Sequence, residues 1–391
     1  MNAILQFFFG CVIILSGCSM FKSDNNIINM SPLPKIKQEF ILTKAWSTFI
    51  SHNDVNKLYF RPSPICYNNI IYVADHFGIV KAININNGAT IWSINLAKKN
   101  NWLSYQPALL SGMISLSDNK IFIGSERAIV YALNTKDGTK IWQTTVAGEV
   151  ISRPVISNNL VLIHTTNGML QALNQANGII QWTINLDMPS ITLRGESSPT
   201  IAYGAAIIGN DNGRISAVLL PQGHIIWQQY VTESIGSTDV ERINDVDNTP
   251  IVINNIVYTL GYNGNLSALD LKSGQIKWQY KISSVNDFIV YEKCIYIVDQ
   301  DDCIISLSTN NGKFLWQQNH LLHRNLTTPV LYHNYLVLGD SEGYLHALNI
   351  NNGALILQQR VAKSHLLSVV LSKNDKVIIQ TSSNQLYAFT S

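Results

Sequence analysis

The sequence predicts an all-β protein: an eight-bladed β-propeller of four-stranded antiparallel blades, closed by an N-terminal strand. Three observations carry this. A unit reading Ala-aliphatic-(Asn/Asp)-x-x-x-Gly-x-x-x-Trp recurs, as in Ala82-Ile83-Asn84 to Trp92, Ala132-Leu133-Asn134 to Trp142 and Ala172-Leu173-Asn174 to Trp182. Its tryptophans, from Trp92 through Trp142, Trp182, Trp227 and Trp278 to Trp316, step by 50, 40, 45, 51 and 38 residues. Short β-branched runs and tight Gly turns fill each period, and a period of about 40–50 residues so built marks a propeller.

Each blade is legible strand by strand. A Pro followed by a further strand residue opens the inner strand at Pro64-Ile65, Pro107-Ala108, Pro154-Val155, Pro199-Thr200, Pro250-Ile251 and Pro329-Val330. Pro is tolerated there because no ladder donor is lost. The second strand is β-branched and aromatic, as in Ile70-Ile71-Tyr72-Val73, which suits a pleated, half-buried surface. A turn such as Asp211-Asn212-Gly213 or Asn263-Gly264 leads to the third strand; Asn-Gly and related pairs supply the positive φ of tight hairpins. That third strand carries a small residue, and the fourth carries the Trp. The small residue is expected to leave room for the indole, whose burial removes ~150–250 Å² from water. The repeats read as core.

Two copies depart from the pattern. The seventh, Ala347-Leu348-Asn349, ends on Leu357 where Trp is expected. The eighth stops at Leu386-Tyr387-Ala388-Phe389 without an outer strand. Lys44-Ala45-Trp46 looks like that missing strand, and Trp46 precedes Trp92 by 46 residues. The N-terminal strand is therefore expected to complete the last blade, since an open ring would leave two unpaired edges.

The chain has 391 residues, of which 46% are hydrophobic and 13% charged, with a formal net charge of +2. No basic stripe points to nucleic acid. Residues 3–15 are mostly apolar and lead to Leu15-Ser16-Gly17-Cys18. Such a stretch is shorter than the ~20 residues of a transmembrane helix and reads as a secretory signal over residues 1–17, although no Lys or Arg precedes it. Leu-Ser-Gly-Cys resembles the bacterial lipobox, which implies lipidation of Cys18, and Ser19 after it implies sorting to the outer membrane. Residues 18–39 lack periodicity and read as the lipidated Cys and a flexible tether; residues 40–391 are the propeller. Cys66, Cys294 and Cys303 remain. Although export permits disulfides, the hairpin register separates Cys294 from Cys303 by roughly 13 Å at ~3.3 Å per residue, beyond disulfide reach. Free, largely buried thiols are expected.

No nucleophile elbow or phosphate loop is present. His320-x-x-His323 lacks supporting ligands and reads as loop. The acidic turn at Asp299, Asp301 and Asp302 lacks EF-hand spacing. The repeat resembles the tryptophan-docking repeat of pyrroloquinoline-quinone (PQQ) dehydrogenases, but the adjacent Cys-Cys pair of those enzymes is missing. The expectation is no enzyme, no cofactor and no metal; a PQQ-dehydrogenase-like or small-molecule-binding periplasmic propeller is the alternative.

Function is expected in the connectors. From Trp to the following Pro they run 12 residues (Trp142 to Pro154), 13 (Trp316 to Pro329) and 15 (Trp92 to Pro107). Two flanking the same blade are longer, 17 (Trp182 to Pro199) and 23 (Trp227 to Pro250). Loops longer than the scaffold needs carry function. One holds Glu233, Asp239, Glu241, Asp245 and Asp247 against a lone Arg242; the other sets aliphatic residues beside Arg194. Mixed aliphatic, Arg and acidic surface suits a protein partner.

Leu186-Asp187-Met188-Pro189-Ser190, Leu193-Arg194-Gly195-Glu196-Ser197, Ser284-Val285-Asn286-Asp287-Phe288, Leu321-Leu322-His323-Arg324 and Gly339-Asp340-Ser341-Glu342-Gly343 resemble the BamB family of outer-membrane assembly lipoproteins, over essentially the whole chain. The resemblance implies a non-enzymatic scaffold, lipid-anchored at the periplasmic face of the outer membrane. It would bind the periplasmic domains of the insertase BamA within the Bam complex, with unfolded outer-membrane proteins as a further partner. The family's partner-binding loops match Ile191, Leu193 and Arg194 on one connector and Asp245 with Asp247 on the next. Ile191 stands where the family usually has Leu.

Overall fold

A computed structural model describes residues 29–52, 63–99, 105–189, 191–232, 237–238, 243–371 and 375–390. Eight four-stranded antiparallel sheets follow one another along the chain. Blade 1 is built from Ile65–Tyr67, Ile70–Ala74, Ile79–Asn84 and Thr90–Asn95. Blades 2 to 7 repeat the plan and end on outer strands Lys140–Thr145, Ile180–Asn185, His224–Tyr230, Ile276–Lys281, Phe314–Gln318 and Leu355–Arg360. Blade 8 takes three strands from the C-terminus, Leu366–Leu371, Val377–Thr381 and Gln385–Thr390, and its outer strand, Thr43–Phe49, from the N-terminus. Trp46 lies opposite Ala388, so the ring closes as the repeat count predicts.

The small residue and the Trp are direct cross-strand partners in every complete copy, as in Ala82↔Trp92, Ala268↔Trp278 and Ser306↔Trp316. A β-bulge follows the small residue in each of these pairs, and bulges re-aim the side chains beside them. The indole then leaves its own blade. It lies on the glycine of the turn between third and outer strands of the next blade: Trp46 on Gly88, Trp92 on Gly138, Trp227 on Gly274. A β-carbon at Gly274 would stand 2.6 Å from the Trp227 ring, so only Gly admits the indole. Each indole N–H also donates across the junction, Trp46 to the Ile85 carbonyl at 2.9 Å and Trp316 to Ile350 at 2.9 Å. The expected room for the indole is thus supplied by glycine of the neighbouring blade rather than by the small residue alone.

The topology sorts the loops onto two faces. Connectors between blades and turns between second and third strands share one face, here called the connector face. Turns carrying the docking glycines lie on the other. Second and third strands are buried almost throughout and form the hydrophobic clusters between blades.

Three local expectations are corrected. Pro107-Ala108 does not open an inner strand: a two-stranded ribbon, Lys98–Lys99 with Tyr105–Gln106, precedes it. The strand begins at Leu110, after Leu109 turns the chain at φ 52°. The thiols of Cys66, Cys294 and Cys303 are free but only partly buried; burial still pushes Cys66 up to about 12. Residues 31–39, expected as tether, lie against blade 7: Glu39 N–H donates to Ile356 at 2.9 Å and Gln358 Nε2 to Pro34 at 3.4 Å.

Candidate partner-binding site

The two long connectors meet on the connector face of blade 4. The first runs from Asn185 to Thr200, and the second half of the other, Ile243–Val246, is buried. Its backbone is tacked to both neighbouring blades. Val246 N–H donates to Asn210 at 3.1 Å, and Tyr262 N–H donates to Asp245 at 2.8 Å. The Thr232 hydroxyl donates to Asn244 at 2.8 Å. Ser197 Oγ donates to Asn248 at 3.0 Å, joining one connector to the other. Glu233, Asp239, Glu241 and Arg242 lie outside the described residues, as do Cys18 and Ser190.

Of the predicted residues, Ile191 is exposed and Leu193 partly so. The Arg194 side chain is 39% exposed, and its Nη2 sits 2.8 Å from Glu126 and 3.2 Å from Glu149. These acids come from blade 2 and the connector after it, so the guanidinium ties the connector between blades 3 and 4 to blade 2 and to the connector that follows it. Asp245 is placed differently from its expected role as a surface charge. It is fully buried, and its Oδ2 accepts the Leu193 N–H at 2.5 Å. Asp247 is partly exposed, and a β-carbon at Gly195 would fall inside its carboxylate. The two acids therefore fix the course of the Leu193–Gly195 loop from below. The other sequence candidates do not converge. His320 Nδ1 faces Gln318 Oε1 at 2.5 Å, while Asp302 accepts the N–H groups of Asn325 and Leu326. Among the described residues no group of three or more His, Cys, Asp or Glu is arranged to hold a metal ion.

Sequence reading missed what lies beneath. His164 Nδ1 is 2.8 Å from Glu196 Oε2, both side chains being almost fully buried. Burial alone would lower the imidazole pKa, but the adjacent Glu196 carboxylate outweighs it and the value rises. Asp211 is pushed up to about 10, by burial first and then by Glu196, Asp247 and Asp245. Asp245 is raised to about 6, chiefly by burial, against the Leu193 N–H that favours its charged form. At neutral pH the floor of the site thus holds a protonated Asp211. Asp211 was visible only as a turn residue, because nothing local in Asp-Asn-Gly reports three acids brought beside it from 15 to 36 residues away.

The family model for outer membrane protein assembly factor BamB matches residues 76–318 and 306–391. The chain is 51% identical over 380 residues to the Yersinia pestis BamB, covering 97% of this chain and 96% of that one. It is 52% identical over 379 residues to the BamB of Escherichia coli strain K12, covering 97% and 96%. Among solved structures, BamB from Moraxella catarrhalis superposes with a TM-score of 0.78 at 22% identity, covering 90% of this chain and 100% of that one. A europium-containing methanol dehydrogenase shares the fold, with a TM-score of 0.71 at 13% identity and coverage of 90% and 93%. The chain belongs to the outer membrane protein assembly factor BamB family.

Proposed function

We propose that this propeller is a non-enzymatic scaffold of the β-barrel assembly machinery, anchored in the outer membrane through Cys18. Its connector face holds the periplasmic domains of the insertase BamA. The observation that carries the reading is the pair of connectors locked together over blade 4, which presents Ile191, Leu193 and Arg194 on a rigid base. A preformed loop loses little entropy on docking. Leu193 supplies an apolar contact and Arg194 a forked donor set, the types that concentrate binding energy. Asp245 and Asp247 serve by positioning that loop.

The test is co-purification with the insertase from solubilised envelope. Leu193→Ala with Arg194→Ala is expected to abolish capture, each truncation costing ~2 kcal/mol or more at an interface centre, while the melting curve stays close to wild type. A folded double variant that still captures the insertase at wild-type yield overturns the assignment.

A further inference from the structure

The junction between blades 7 and 8 is filled by residues from outside the repeat. Leu42 is buried in one cluster with Leu357, Ile356 and Phe389, and Phe40 packs on Tyr335 with ring centroids 5.4 Å apart. Gln359 holds the Leu42 backbone at both ends: Leu42 N–H donates to Oε1 at 2.9 Å, and Nε2 donates to the Leu42 carbonyl at 2.8 Å. At the preceding junction the equivalent Gln318 donates instead to the Gly353 carbonyl, at 2.9 Å. Leu42 therefore occupies the position that a docking glycine holds elsewhere.

The other end of this segment is gripped by Arg324, the largest fully buried side chain among the described residues. Its Nη1 donates to the Ser31 carbonyl at 2.9 Å, and Ser31 N–H donates to the Leu322 carbonyl at 3.0 Å. The rest of the guanidinium is held from behind, Nε on Asp340 at 2.8 Å and Nη2 on Glu342 at 2.5 Å. His346 Nε2 meets the same Asp340 oxygen at 2.9 Å. A buried arginine needs its donors satisfied, and here one of the acceptors is the backbone of the N-terminal segment. Arg324 belongs to the connector between blades 6 and 7, so Ser31 lies on the connector face, three blades round the ring from Arg194.

We infer that residues 31–42 form a fixed strap, clasped by Arg324 at its start and by Gln359 at its end, which makes the membrane tether leave the propeller from the connector face. This rests on the lipid-anchor reading of Cys18. The 12 residues between Cys18 and Ser31, 13 Cα steps, reach at most ~45 Å when extended, so the clasp keeps the blade 6–7 side of the connector face within that distance of the bilayer. The strap also carries Lys35 and Lys37, both exposed. That gives a direct readout, since cleavage of a docked segment requires it to open first.

The experiment uses the full chain in washed outer-membrane sheets, opened so that trypsin reaches the periplasmic face. Wild type is expected to resist cutting after Lys35 and Lys37. Ser31→Pro, which removes the donor to Leu322 and leaves the Arg324 ion pairs in place, is expected to be cut there at least about tenfold faster with an unchanged melting curve. Arg324→Met is expected to do the same, and Ser31→Pro decides the matter if that variant does not fold. Equal cutting rates for wild type and Ser31→Pro overturn the strap. A fluorescent residue introduced at Lys363, on the connector face, is expected to be quenched by lipid-borne quencher more than one at Asn351 on the opposite face. Equal quenching overturns the inferred exit. Failure of the anchor reading is seen separately, as wild-type chain in the soluble fraction before any trypsin is added.

Discussion

At seven junctions a tryptophan of one blade lies on a turn glycine of the next; at the eighth, Leu357 stands in place of Trp and packs with Leu42 and Phe389. The difference follows from where the chain is cut. A docking glycine sits in the turn joining third and outer strands. In blade 8 those strands are Gln385–Thr390 and Thr43–Phe49, the two ends of the fold, so no such turn exists there. An indole at 357 would have neither a glycine to lie on nor a turn carbonyl for its N–H. The sequence irregularity marks the seam of the ring.

The largest effect is expected at the seam strand. Deleting residues 40–50 removes Trp46, the pairing with Gln385–Thr390 and both Phe40 and Leu42. Cooperative thermal unfolding is expected to be lost, leaving two bare sheet edges prone to self-association. An unchanged melting curve would mean that the ring is stable when open.

A smaller effect sharpens the contrast between junction types. Trp227→Ala is expected to cost ~3–5 kcal/mol in denaturant unfolding, the usual range for truncating a core aromatic. Leu357→Trp, which restores the repeat by sequence, is expected to destabilise by ~1–3 kcal/mol through overpacking. If Leu357→Trp stabilised the protein, the missing turn would not be the reason for leucine there.

The smallest effect concerns the floor of the partner site. Asp211 has a folded-state pKa raised to about 10 from an ordinary carboxyl value. A raised value means that the fold holds the proton more tightly than the unfolded chain does. Its favourable contribution is complete below the unfolded value near pH 4 and is lost as pH rises through the window up to about 10. Asp211→Asn, always neutral, is expected to raise the melting temperature by a few degrees at pH 8, and the gain should shrink toward pH 4. A gain that grows on acidification would contradict the buried, protonated carboxyl.

The fold was legible in the sequence because every blade solves the same packing problem with the same residues. Ala or Ser opposite Trp, and Gly in the receiving turn, recur at a spacing set by strand and turn lengths. Trp46 could be assigned across the ring because it kept that spacing. The connectors were legible by length and composition, and Leu193 does meet the neighbouring connector above blade 4 through Asp245. Tertiary structure alone decided which acids are buried. Asp245 and Asp247 read alike in Asn244-Asp245-Val246-Asp247, yet one caps the Leu193 N–H from the interior and the other lies against Gly195. It alone paired Arg194 with Glu126 and Glu149, and Arg324 with Ser31. Core residues announce themselves through local periodicity. A charge takes its meaning from neighbours brought in by ring closure, up to 293 residues away between Ser31 and Arg324, and no local pattern records them.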